Sequence, residues 1–229
     1  MKRVPLRDDC RSDPDAMASA VDDDTMMIVG SAPCFPHGVI DEILPLSRVA
    51  ESADVWLHVC ACVGGYHAPF AKSLGRDMPD FDFSVPGVRS LTAYLQEFGF
   101  APKPSSTVLY RLEEDFERQI FDLDPRTYGR MTTSTLVGAR HANGITGSWA
   151  VFKHLSRAGY TKILTDLMAM FGCLCCRYRG HTRTQDACEA GFDDYQFRFE
   201  RGGHISGRRT EGRARLGSRS AATNLWRTL

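Results

Sequence analysis

Three short apolar runs constrain what this chain can fold into. They are Thr25-Met26-Met27-Ile28-Val29-Gly30-Ser31, Val55-Trp56-Leu57-His58-Val59 and Ser106-Thr107-Val108-Leu109-Tyr110-Arg111. Each is continuous rather than alternating in polarity, the pattern of strands covered on both faces. The expectation is therefore an α/β layout: a mostly parallel sheet with helices on both faces. Phe81, Phe83 and Val85 alternate with Asp82 and Ser84, which predicts a more exposed strand there.

Helical patterns occupy the intervals. Pro45 followed by Leu46, Val49 and Ala50 predicts a short helix starting near the proline. Ile145, Trp149 and Phe152 fall on one face of a helix predicted from about Gly144 to Arg157. Tyr160, Ile163, Leu164, Leu167, Met168 and Phe171 then follow the i, i+3, i+4, i+7 pattern, and this stripe reads as core packing.

Beyond Phe171 no period persists. Residues 172–229 hold eleven Arg, no Lys and six acidic residues, a balance of +5 against −5 for residues 1–171. This seam predicts two parts: 1–171 as the α/β region, and 172–229 as an Arg/Gly/Ser-rich tail, disordered or translated in a shifted frame. Cys173, Cys175, Cys176, His181 and Cys188 offer soft ligands for zinc, at a spacing unlike the usual zinc modules. The tail's arginines could neutralise phosphates, but sparse aromatics and a modest charge argue against nucleic acid. Cys60 and Cys62 lie two apart on a strand and share a face. No second Cys/His pair near them has recognisable metal-ligand spacing.

The first ten residues contain no apolar signal segment, and no run of eighteen apolar residues exists. Without a secretion signal, the eight cysteines are expected to be reduced thiols. A cytoplasmic location follows as the expectation.

Six segments together carry a resemblance. They are 28–41 (IVGSAPCFPHGVID), 57–65 (LHVCACVGG), 81–88 (FDFSVPGV), 91–103 (LTAYLQEFGFAPK), 105–111 (SSTVLYR) and 135–140 (TLVGAR). In order and spacing they resemble group II pyridoxal-phosphate (PLP) decarboxylases, on the sphingosine-phosphate-lyase-like branch. That resemblance implies the PLP-dependent transferase (fold type I) large domain and PLP as cofactor. It also implies a homodimer, and cleavage at Cα of a small amino acid or a phosphorylated amino alcohol.

Several positions depart from the family pattern. In the stretch S-A-D-x-H-K-[YF]-G-[YF]-A-P-K the lysine carries the cofactor as an imine, and here that position is Glu97. The adjoining histidine is Gln96, and the aspartate three before the lysine is Tyr94. The aspartate of H-V-D-A, which keeps the pyridine nitrogen protonated, is replaced by Cys60, while Cys62 fits the small residue packing on the ring. A carboxylate cannot form an imine with an aldehyde, whereas a deprotonated amine can. Lys103, six residues on, matches a separate family lysine. His37 and His58 match family positions at strand–loop junctions and read as polar loop or core residues. A phosphate-binding turn upstream of Thr25 is not recognisable. The chain thus reads as a degenerate central fragment, inactive by itself. It could instead be the non-catalytic partner of an intact paralogue.

Overall fold

The structure, a computed structural model, describes residues 1–126, 129–138 and 140–178. Its centre is a four-stranded sheet of order β1-β2-β3-β4: β1 Met27–Ser31, β2 Trp56–Cys60, β3 Val88–Tyr94 and β4 Ser106–Tyr110. β1, β2 and β3 are parallel, and β4 runs antiparallel to β3 at the edge. Parallel neighbours need crossovers. Helix α2 (Ile43–Ser52) lies in the first and α3 (Ala68–Ser73) in the second.

Sequence explains α2 directly. Ile43, Leu46, Ser47 and Ala50 are its buried residues, one stripe at helical spacing, and Pro45 sits in the first turn, where a missing N–H costs little. The helix lies hard against β1 because residue 30 is glycine: a Cβ there would come within 2.6 Å of Ile43 Cδ1. At the N-terminus, α1 (Pro14–Ala20) is capped by Asp13, whose carboxylate accepts from the backbone N–H groups of Asp15 and Ala16. Buried Asp41 accepts from Ser12 N at 2.7 Å and Ser31 N at 2.8 Å, tying the N-terminal arm to the end of β1.

The core occupies one face of the sheet. Ile28, Leu57, Val59, Leu91 and Ala93 form one cluster with α2, with Ala68 and Ala71 of α3, and with Leu164. Helices lie on both faces, as the continuous runs lead one to expect, but among the described residues they cover the two faces unevenly. Among the described residues the opposite face carries the short α4 (Glu113–Glu117), beside β4. Along it Met27, Val29 and Val108 are about half exposed. Trp56, His58, Ser90, Val108 and Tyr110 line a shallow depression of about 460 Å³ there.

Two other expectations change. Residues 81–87 form no strand but a turn, in which Asp82 Oδ1 accepts from Ser84 N at 2.8 Å. Arg111 holds that turn by donating to the carbonyls of Phe83 and Val88 at 2.9 and 2.7 Å. A hairpin, β5 (Phe121–Arg126) with β6 (Gly129–Thr133), follows α4 and is antiparallel.

The two predicted C-terminal helices appear as α5 (Asn143–Tyr178), interrupted at Ser156, whose φ is 54° and ψ −178°. The stripe after the break is core, as its spacing predicts. Tyr160 and Leu164 are buried, and Leu167 and Met168 pack against the cluster. Before the break, Ile145 and Trp149 are exposed. α5 continues past the compositional seam at Gly172 to Tyr178, so residues 173–178 are helical, not irregular. Cys173 is exposed. The side chains of the other proposed zinc ligands, and the rest of the tail, lie outside the described residues. No helix among the described residues is long and apolar enough to cross a membrane.

Candidate functional site

In open α/β sheets, ligands bind beyond the carboxyl ends of parallel strands. At that end of this sheet three connections converge: residues 32–38 after β1, 61–67 after β2 and 95–105 after β3. All five residues singled out from the sequence, Cys60, Cys62, Tyr94, Gln96 and Glu97, lie at these strand ends or in these connections.

The turn after β2 is compressed. A Cβ on Gly64 would meet the Ala32 carbonyl at 2.3 Å, so only glycine lets this turn abut the β1 connection. Ala32 N donates to Cys60 O at 2.9 Å, and Tyr94 N donates to Cys62 O at 3.2 Å. These bonds bring three side chains together. Cys60 Sγ and Cys62 Sγ are 3.3 Å apart, and Tyr94 ends the neighbouring strand beside them. Burial first, and the neighbouring Cys60 second, push the Cys62 thiol up to about 11. The Tyr94 phenol is also raised, chiefly by Cys62, with Glu97 the smallest of the contributors. The Cys62 thiol and the Tyr94 phenol therefore both hold their protons near neutrality.

Position 97 lies elsewhere in character. Glu97 is exposed, and its backbone carbonyl accepts from Phe100 N at 3.2 Å in a tight turn. Gln96 faces inward and braces the connection: its Oε1 accepts from Ser105 N at 3.1 Å, and its own N–H donates to Ser105 O at 3.2 Å. Lys103 is exposed. The whole connection is pinned to α5 by Tyr160, whose hydroxyl donates to Gly99 O at 2.6 Å. Burial pushes that phenol up to about 12.

His58, read from the sequence as a polar loop or core residue, lies on a strand and is half-buried. It sits mid-β2 on the open face, with Nδ1 2.7 Å from Ser90 Oγ and Nε2 2.7 Å from Thr92 Oγ1. Trp56 Nε1 donates to the same Ser90 Oγ at 2.7 Å. A neutral imidazole satisfies both hydroxyls, and burial lowers the His58 pKa accordingly. His37 is half-buried in the β1 connection. Sequence reasoning missed Ser90 and Thr92 as partners of His58, and Asp41 as the clamp behind β1. The alternation of small polar residues Ser90 and Thr92 along one strand face was the available signal.

Pyridoxal phosphate requires an amine for its imine and, in this family, a carboxylate facing its pyridine nitrogen. Positions 97 and 60 supply an exposed carboxylate and a half-buried thiol in contact with a second thiol. These residues do not fit the group as the family holds it. Among the described residues no group of three or more His, Cys, Asp or Glu is arranged to hold a metal ion.

No family model matches the chain. Individual proteins do. The sphingosine-1-phosphate lyase of Arabidopsis thaliana is 40% identical over 166 residues, covering 72% of this chain and 30% of that protein. A probable L-aspartate decarboxylase of Pyrococcus abyssi is 36% identical over 166 residues, covering 72% and 43%. Among solved structures, a sphingosine-1-phosphate lyase of Burkholderia pseudomallei matches with a TM-score of 0.67 and 38% identity, over 69% of this chain and 37% of that one. Glutamate decarboxylase of Lactobacillus brevis matches with a TM-score of 0.59 and 25% identity, over 70% and 37%. The chain thus spans well under half the length of these relatives. On these identities and structural matches, the chain belongs to the group II PLP-dependent decarboxylase family, on the sphingosine-phosphate-lyase-like branch.

Proposed function

We propose that this chain is a non-catalytic member of the PLP-dependent lyase family, one that keeps the sheet and strand-end connections but not the chemistry. The observation that carries this reading is the pair of positions 60 and 97. The first presents a thiol packed on another thiol, where a permanent negative charge is needed to hold a pyridinium. The second presents an exposed carboxylate, which has no nucleophilic nitrogen. Bond cleavage at Cα needs both features at once: the imine to activate the substrate, and the protonated ring to accept its electrons.

The direct test is turnover. L-Aspartate and a phosphorylated long-chain amino alcohol, incubated with the full chain and PLP, are expected to release no carbon dioxide or aldehyde above the protein-free control. PLP-dependent product formation that follows the protein concentration would overturn the proposal.

A second reading, as the non-catalytic partner of an intact lyase chain, is favoured by exposed apolar side chains. Phe35, in the β1 connection, is 86% exposed, and Leu136 and Val137 follow the hairpin at 104% and 73%. Side chains of this kind are suited to an interface. Co-expression with an intact relative and retrieval on a tag placed on one chain should then recover both. Recovery of the tagged chain alone would rule this reading out.

A further inference from the structure

We propose that Cys60 and Cys62 form a redox-active dithiol that exchanges with low-molecular-weight disulfides of the glutathione class. Two residues apart on a regular strand, cysteines share a face but stand too far apart to bond. Here β2 ends at Cys60 and the chain turns back at once: Gly65 N donates to Ala61 O at 2.8 Å, and a Cβ on Gly65 would crowd Ala93 at 2.6 Å. The turn brings the two Sγ atoms to 3.3 Å, and both are free thiols, half-buried and so reachable from solvent.

The positions of the two thiols, at the end of β2 and in the turn after it, suit a two-step exchange. Burial and the neighbouring Cys60 push the Cys62 thiol up to about 11, which suits it to the second, resolving step. The Cys60 thiolate attacks one sulfur of the external disulfide. That S–S bond breaks, a mixed disulfide forms on Cys60, and one glutathione leaves as thiolate. Cys62 then attacks the Cys60 sulfur, giving its proton to solvent and displacing the second glutathione. Two protein thiols lose two electrons to form one disulfide, and one glutathione disulfide gains them to become two glutathiones. A bridge spanning only Ala61 closes a tight ring, which places it with the strained, easily reduced disulfides. A dithiol reductant therefore reopens it. This chemistry does not depend on the absence of lyase activity.

The test uses the full chain exposed to glutathione disulfide, alkylated and digested with trypsin. Cys60 and Cys62 share the peptide Val49–Lys72, while Cys34 lies in Ser12–Arg48. The expected result is that Val49–Lys72 loses two hydrogens, resists alkylation and regains both alkylation sites after dithiothreitol. Cys62→Ser is expected to stop at a glutathione adduct on Cys60. Three results for the unaltered protein would each overturn the proposal: a lasting glutathione adduct on Val49–Lys72, two alkylated cysteines in it, or a cross-link to Ser12–Arg48. Because these are read on the unaltered chain, the proposal does not depend on the variant folding.

Discussion

The His67 ring lies buried against Phe98, with ring centroids 4.2 Å apart, and burial lowers its pKa from 6.5 to about 4. The unfolded chain takes up this proton near pH 6.5 and the folded chain only near pH 4, so acid favours unfolding in between. Stability is complete above pH 6.5 and falls as the pH is lowered towards 4. Between pH 7 and pH 5 the loss attributable to His67 is about 2 kcal/mol, from 1.36 kcal/mol per pH unit. Urea unfolding at the two pH values measures it, and His67→Phe, which keeps a ring beside Phe98, should remove most of the difference. An unchanged pH dependence in that variant would assign the effect to other groups. Positions 60 and 97 were legible in the sequence because each sits inside a local motif whose neighbours still match. The contact between Cys60 and Cys62 was legible only as a shared face. Its closeness depends on the turn at Gly64 and Gly65, which spacing alone does not specify.

For the elements, the difference between the two faces of the sheet sets the expected mutational costs. Leu57 on β2 is fully buried in the cluster. Leu57→Ala should cost about 2–5 kcal/mol in urea unfolding, the transfer loss plus a cavity. Val108 on β4 is 47% exposed on the open face. Val108→Lys should stay within about 0.5 kcal/mol of the parent, and a larger loss would show that this face is covered. The sequence did not reveal this asymmetry, since a continuous apolar run looks alike whether one face or two are packed. The β3 strand was masked by its own hydroxyls, Ser90 and Thr92, which serve His58 rather than the core. Alternation at Phe81, Phe83 and Val85 imitated a strand. The Asp82–Ser84 bond and the following Pro86-Gly87 turn the chain instead, leaving Phe81 and Val85 to fill the core. In contrast, the stripe from Tyr160 to Met168 was readable because a helix buries whatever recurs at its own period.

Taken whole, the molecule presents apolar sheet surface at both edges, with Met27 and Val29 on β1 and Val108 and Leu109 on β4 about half exposed. Edges and faces of that kind promote self-association. The full chain should therefore sediment as concentration-dependent oligomers at neutral pH. Val29→Lys with Val108→Lys should shift it towards monomer without lowering its melting temperature. A parent chain that is strictly monomeric at high concentration would contradict this. The family frame was legible because six short segments keep their order across 28–140; the packing of α5 against the 95–105 connection through Tyr160 and Gly99 was not, because it joins residues 61 apart. The central claim is that the strand ends no longer accept the family's cofactor as an imine. It is tested most directly by titrating the full chain with pyridoxal phosphate, reducing with borohydride and mapping any adduct by mass spectrometry. No protein-bound absorbance band in the visible is expected, and no reduced adduct on the chain at stoichiometric cofactor. A reducible adduct at a single lysine, Lys103 above all, would contradict it and restore a catalytic reading.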